Sequence, residues 1–101
     1  MGMLRVFMVK LGSRGLELKK IKIHQSRGDV NIGSRGVTDS LIDEVRRRLK
    51  SQKCLKIKVF KSARGFIGDD DVEGIAKAVN AVIIDKRGFT YILIDRKYVI
   101  H

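Results

Sequence analysis

The stretch DVNIGSRGVTDSLIDEVRRRL, residues 29–49, contains three consecutive signals of local structure. Val30 and Ile32 predict a short strand, and the glycine turn of residues 33–36 follows it directly. A helix is predicted from Thr38, because threonine is a preferred N-cap and residues 41, 42, 45 and 49 are apolar at helical spacing. The chain therefore passes from a strand through a tight turn into a capped helix.

This turn and the helix after it have features that suit a phosphate backbone. Two glycines allow positive φ and a close approach of the protein backbone to a partner, and Arg35 lies at the tip. The N-terminus of the following helix offers unpaired N–H groups to an anion. Three arginines on a helix usually form a solvated face, but their place after the turn makes them candidate contacts. The predicted contact residues here are Gly33, Ser34, Arg35, Gly36, Arg46 and Arg47.

The composition indicates a polyanionic partner. The 101 residues include 22 Lys and Arg against 11 Asp and Glu, which gives a formal net charge of +11 and an isoelectric point near 10.2. Residues 1–68 carry 17 basic and 5 acidic side chains, whereas residues 69–101 carry 5 basic and 6 acidic ones. Solubility alone is one explanation, but a charge this large opposes compaction, which favours a polyanion as the partner.

Length and residue usage exclude several other classes. A chain of 101 residues forms one domain, and its longest aliphatic run, Ala81–Ile84, is too short to cross a bilayer. No secretory signal opens the sequence, so we expect a cytoplasmic protein. The single cysteine, Cys54, cannot form an internal disulfide, and we expect a buried thiol. The acidic cluster Asp69–Asp71 is explained by a helix N-terminus, and no metal or cofactor is predicted.

The second half of the chain predicts a strand, a helix and a hairpin. Residues 55–60 alternate between apolar and basic, residues 72, 75, 76 and 79 are apolar at helical spacing, and residues 81–85 and 89–94 are strands joined by a basic turn. Further candidate contacts lie on the first of these strands, in the loop after it and on the hairpin turn: Lys56, Lys58, Lys61, Arg64, Lys86 and Arg87.

These elements predict a two-layer α/β domain with a mixed four-stranded sheet. Right-handed crossovers would place both predicted helices on the same face of the sheet. Residues 1–28 form an N-terminal segment of the same domain, with a helix expected over Leu16–His24, and residues 29–101 form the main part. A second Gly-Ser-Arg-Gly at residues 12–15 lacks the threonine cap and is interpreted as a chance recurrence.

The order of motifs resembles the CRM domain (chloroplast RNA splicing and ribosome maturation), including its single-domain YhbY-like members. The resemblance rests on the pattern Val-Asn-Ile-Gly-x-x-Gly-Val-Thr-Asp-x-Leu-Ile-x-Glu-Val from Val30, on Leu-x-x-x-x-x-Leu-Lys-Ile-Lys-Val from Leu49, and on the late hairpin. It covers about residues 29–95. It implies an RNA-binding fold similar to the C-terminal domain of translation initiation factor 3, with the Gly-x-x-Gly loop on the RNA. It also implies a role with precursors of the large ribosomal subunit, or in intron splicing as in plant members.

The sequence departs from the family pattern at three places. Residues 1–28 match the pattern poorly, and the other two departures lie within the matched stretch. Ser34 stands where relatives often carry lysine, so the charge at the tip of the turn rests on Arg35. The proline that often precedes the first strand is missing around residues 28–29, and the chain contains no proline.

Three other functions fit parts of the sequence. A KH-like RNA-binding module also carries an Ile-Gly-x-x-Gly loop, although there the loop joins two helices. A small nucleotide-binding enzyme is a second alternative, but the P-loop lysine is absent and no catalytic set is recognisable. An integral ribosomal protein is the third. Several of the six aromatic residues lie within apolar strands and are expected in the core, and Phe66 in the basic loop is the candidate to test for stacking on a base.

Overall fold

The computed structural model describes residues 9–100. These residues form three α-helices: α1 (Ser13–His24), α2 (Asp39–Gln52) and α3 (Asp69–Ala78). The strands are β1 (Lys10–Leu11), β2 (Val30–Ile32), β3 (Cys54–Val59), β4 (Ala81–Arg87), β5 (Thr90–Asp95) and β6 (Val99–Ile100), and short 3₁₀ helices cover Lys61–Ala63 and Arg96–Tyr98. The part of the predicted N-terminal segment before residue 9 lies outside the described residues.

Four strands form one mixed sheet in the order β2-β3-β5-β4. β2 and β3 are parallel, whereas β5 is antiparallel to both β3 and β4. The predicted α/β class and four-stranded mixed sheet are therefore confirmed. A second pair, β1 with β6, was not predicted, since strands of two residues carry no periodic signal.

α2 and α3 pack on the same face of the sheet, as the right-handed crossovers predict. The alternate residues Leu55, Ile57 and Val59 of β3 point to this face and share one core cluster with Val45 of α2 and Ile75 of α3. All five side chains are at most 1% exposed. Burial of this apolar area supplies most of the stabilisation of the domain.

α1 covers the opposite face, where the sequence predicted no helical layer. Leu18 packs in a second cluster with Cys54 and with the other set of alternate residues, including Ile92 and Ile94 of β5. The helix expected over Leu16–His24 is confirmed and begins slightly earlier. Residues 12–15 form its start rather than a second phosphate loop.

The predicted hairpin of β4 and β5 contains a bulge. Ile83 pairs with Leu93 and Asp85 pairs with Ile92, so one extra residue lies between them on β4. Because side chains alternate between faces, the bulge reverses the faces of the residues that follow it. It thereby places Arg87 on the same face as Thr90, its partner on β5.

Candidate nucleic-acid interface

The glycine turn connects the end of β2 to the start of α2. The Gly36 N–H donates to the Gly33 carbonyl at 2.8 Å, which closes the turn over Ser34 and Arg35. Gly36 has a φ of +68°, and a Cβ there would lie 3.0 Å from the Phe66 ring. Gly33 lacks a positive φ, contrary to expectation, and a Cβ on it would meet no atom within 4 Å. Only the second glycine is thus required by the fold.

The tip of the turn is open to a ligand. Ser34 and Arg35 are exposed, and the Arg35 side chain makes no hydrogen bond or ion pair within residues 9–100. A shallow depression of about 400 Å³ lies between the turn and the first turns of α2. Thr38 caps this helix as predicted, because its Oγ1 accepts from the Leu41 N–H at 3.1 Å. The arrangement places the Arg35 guanidinium beside a helix N-terminus, where an anion is stabilised.

The arginines of α2 differ in how far they are engaged. Arg46 pairs with Asp43 at 2.9 Å and also donates to the Ala78 carbonyl at the end of α3. Arg48 pairs with Glu44 at 3.0 Å. Arg47 is exposed and forms no ion pair among the described residues. Of the two predicted contacts on this helix, Arg47 is therefore the one whose charge is available.

Lys56 is placed differently from the expected surface cation. It is 9% exposed, and its ammonium group donates to the Gln25 carbonyl at the C-terminus of α1. Burial lowers the pKa of the Lys56 ammonium group, and the positive charge of the neighbouring Lys58 is the next largest cause of this decrease. The strand alternation places Lys56 on the face opposite the main core, as predicted, but α1 covers that position. Its side chain serves as a cap for α1 and is not free to approach a polyanion.

Lys58 is half-buried and exposes its amine at the edge of α1. Its Nζ donates to the Ser26 carbonyl at 3.3 Å. Lys61 is exposed on the 3₁₀ helix after β3. Arg64 donates to the Val59 carbonyl, and its guanidinium stacks 4.2 Å from the centre of the Phe89 ring. All three cations lie at the end of the sheet where β2 and β3 finish.

The two predicted contacts on the hairpin, Lys86 and Arg87, differ in how far their charges are already paired. Lys86 pairs with Asp69 at 2.7 Å, and Tyr91 donates to the same carboxylate oxygen. Burial opposes ionisation of Asp69, but the hydrogen bonds from Lys86 and Tyr91 outweigh it and lower its pKa. Arg87, by contrast, has a side chain 72% exposed and only a 3.4 Å contact with Asp85.

Two aromatic side chains, Phe60 and Phe89, are more exposed than the sequence predicted, whereas the exposure of Phe66 agrees with its choice as a stacking candidate. Phe60 is 46% exposed, Phe66 55% and Phe89 43%, whereas Tyr91 is buried as expected. Phe7 lies outside the described residues. Phe60 and Phe89 flank the apolar strands β3 and β5 rather than lying inside them. The missed signal is their position at strand ends, next to basic residues.

Comparison with known proteins assigns the family. The sequence-family model of the CRS1 / YhbY (CRM) domain matches residues 12–94, which is most of the chain. The chain belongs to this domain family. The matched range includes α1 and therefore extends to residues before residue 29, where the sequence resembles the family pattern poorly.

A solved structure shows the same fold. The solution structure of the hypothetical protein SAV1595 from Staphylococcus aureus, described as a candidate RNA-binding protein, is 15% identical to the chain. It aligns with a TM-score of 0.58 over 92% of this chain and 88% of that one. The sequence matches no curated protein at a significant level. The likeness to the C-terminal domain of translation initiation factor 3 stays a prediction.

Two further findings bear on other classes of function. Among residues 9–100, no helix is long and apolar enough to span a membrane. In the same part of the chain, no group of three or more His, Cys, Asp and Glu side chains is placed to hold a metal ion.

Proposed function

We propose that this CRM domain binds RNA through phosphate contacts centred on the turn Gly33–Gly36. The observation that carries this proposal is the guanidinium of Arg35, which has no ion-pair partner in the described part of the chain and lies at the tip of an open turn beside the N-terminus of α2. Membership of the CRM family supports it, because that family is an RNA-binding module rather than an enzyme family. The candidate RNA-binding role of the Staphylococcus aureus neighbour agrees with it.

Titration of a structured RNA at several salt concentrations tests the proposal. Phosphate contacts release counterions, so the logarithm of the affinity should fall linearly with the logarithm of the salt concentration. Arg35→Glu should weaken binding without changing the melting temperature, because the side chain is exposed and forms no hydrogen bond or ion pair among residues 9–100. Lys77→Glu is the matched charge reversal, on α3 and away from the turn. Binding that ignores salt, or equal effects of both reversals, would refute the proposed surface.

The topology favours the CRM arrangement over a KH-like module. The turn joins a strand to a helix, whereas the Gly-x-x-Gly loop of a KH module joins two helices. A strand before the turn also positions it at the end of the sheet, next to Lys58, Lys61 and Arg64.

We further infer a cytoplasmic role with ribosomal RNA in precursors of the large ribosomal subunit. The support is the family resemblance of the turn and the Thr38-capped helix. On sucrose gradients, the protein should travel with immature large-subunit particles and be depleted from translating ribosomes. Stoichiometric presence on mature ribosomes would instead identify an integral ribosomal protein. Absence from all ribosomal fractions would point to splicing or another RNA process.

A further inference from the structure

One row of side chains crosses all four strands on the face that carries α1. Backbone pairing places Asn31 beside Lys58, Lys58 beside Thr90, and Thr90 beside Arg87. The neighbouring row lies under the C-terminal turn of α1, since Ile23 borders a small cavity with Lys56, Asp85 and Ile92, and Thr90 and Arg87 of the first row line the same cavity. Asn31 and Arg87 are exposed, while Lys58 and Thr90 are half-buried. The row is therefore an open, basic strip at the end of the sheet.

At the β2 edge of this strip lies a depression of about 380 Å³. It is lined by Arg27, Gly28, Asn31, Lys58 and Phe60. A Cβ on Gly28 would lie 2.6 Å from Asn31 Oδ1 and 3.0 Å from Lys58 Cβ, so a side chain at this position would displace both neighbours. Because Gly28 has no side chain, the backbone packs closely against these neighbours and the depression stays open.

The lining combines positive charge with an aromatic ring. Arg27 is exposed and forms no ion pair within residues 9–100, and none of the five lining residues is acidic. The nearest carboxylate in sequence, Asp29, is engaged by Lys22 at 2.7 Å. Phe60 lies two residues after Lys58, and side chains two residues apart on an extended chain point to the same face. Its half-exposed ring therefore lies on the same face as Lys58.

Cations beside an exposed ring suit an unpaired nucleotide. Phosphates require only the cations, and a half-exposed phenylalanine adds nothing to contacts with the backbone of a duplex. In a duplex the base faces are already stacked on one another, whereas an unpaired base offers its face to an aromatic side chain. The combination therefore distinguishes a single-stranded segment from a fully paired one.

We propose that the depression around Phe60 binds an unpaired RNA nucleotide, with its base stacked on the Phe60 ring and its phosphates contacted by Arg27 and Lys58. The inference rests on the proposed RNA binding and adds the class of RNA: structured RNA with a single-stranded segment next to the paired region. The glycine turn contacts the backbone, and the strip at the sheet end receives the unpaired segment.

Fluorescence anisotropy with two RNAs tests the proposal. One RNA is a blunt hairpin, and the other is the same hairpin with a single-stranded tail. The tail should raise the affinity of the wild-type protein. Phe60→Ala should lower the affinity for the tailed RNA by at least about fivefold, in line with the loss of one stacked base, and leave the blunt hairpin unaffected. Phe60→Trp should retain the preference, and Ile21→Ala, an exposed apolar truncation on α1, should change neither affinity.

Several outcomes would overturn this inference. Unchanged binding of the tailed RNA by Phe60→Ala would show that the ring does not stack. An equal loss for both RNAs, with an unchanged melting temperature, would show that Phe60 does not distinguish unpaired nucleotides. If the wild-type protein binds the hairpin and the tail adds no affinity, this inference fails while RNA binding stands. If the wild-type protein binds neither RNA at low salt, the proposed function itself fails.

Discussion

The ammonium group of Lys22 lies 2.7 Å from the carboxylate of Asp29, and the two side chains are only 8% and 11% exposed. The same ammonium donates to Gln25 and to Gln52 at the end of α2, while the Asp29 carboxylate accepts from the Lys56 N–H. This one ion pair thus joins α1, the segment before β2, the end of α2 and β3. It holds α1 on the sheet beside the proposed RNA-binding strip.

Removal of one partner of this pair should destabilise the domain strongly. Asp29→Ala leaves Lys22 as a buried charge without its counter-ion and should lower the free energy of unfolding by about 3 kcal/mol. Urea denaturation measures the change. Asp43→Ala is the matched control, since its ion pair with Arg46 is largely exposed and should contribute below about 1 kcal/mol. Equal losses in the two variants would contradict a special role for the buried pair.

The two glycines of the turn should respond differently to substitution. Gly36→Ala forces a side chain into a positive φ and against the Phe66 ring, which should cost about 1–2 kcal/mol of stability. Gly33→Ala meets open space and should change the free energy of unfolding by no more than about 0.5 kcal/mol. Thermal melts distinguish the two. If Gly33→Ala keeps its stability but weakens RNA binding, the first glycine serves the ligand rather than the fold.

α2 was predictable because its signals are local. Thr38 caps the helix, and the apolar residues repeat at helical spacing, so propensity, capping and periodicity agree. The strand β3 was predictable for the same reason, through its clean alternation. α2 follows the glycine turn and β3 pairs with the strand before it, so the candidate site around Arg35 was accessible from the sequence.

α1 carries the opposite kind of pattern, and the burial of Lys56 follows from it. Leu16 and Ile21 are exposed at 49% and 59%, while Lys22 is buried at 6% exposure. With apolar side chains exposed and a lysine buried, the helix shows no amphipathic periodicity in its sequence. The burial of Lys22 depends on acceptors distant in sequence, such as Gln52. Without α1 in place, the cover over Lys56 and the open strip beyond it could not be anticipated.

Stability should fall in acid partly through Asp69. Its pKa in the folded protein is lowered by the hydrogen bonds from Lys86 and Tyr91, against the effect of burial. A lowered folded pKa means that the stabilisation is complete above the ordinary aspartate pKa of about 3.9 and is lost as the pH falls through the folded value. The difference in urea midpoint between wild type and Asp69→Asn should therefore shrink in acid. A constant difference across this range would show that the carboxylate charge is not responsible.

Arg46 and Arg47 should separate stability from RNA binding, although they are adjacent on α2. Arg47→Glu should weaken RNA binding and reduce the salt dependence by about one phosphate contact, because its charge is exposed and forms no ion pair with any residue from 9 to 100. Arg46→Ala should instead lower stability by about 1 kcal/mol, since it removes the hydrogen bond to the Ala78 carbonyl and the ion pair with Asp43. RNA titrations at several salt concentrations and thermal melts of both variants measure the two effects. Unchanged RNA affinity in Arg47→Glu would restrict the interface to the glycine turn and the end of the sheet, and would exclude this face of α2 from it.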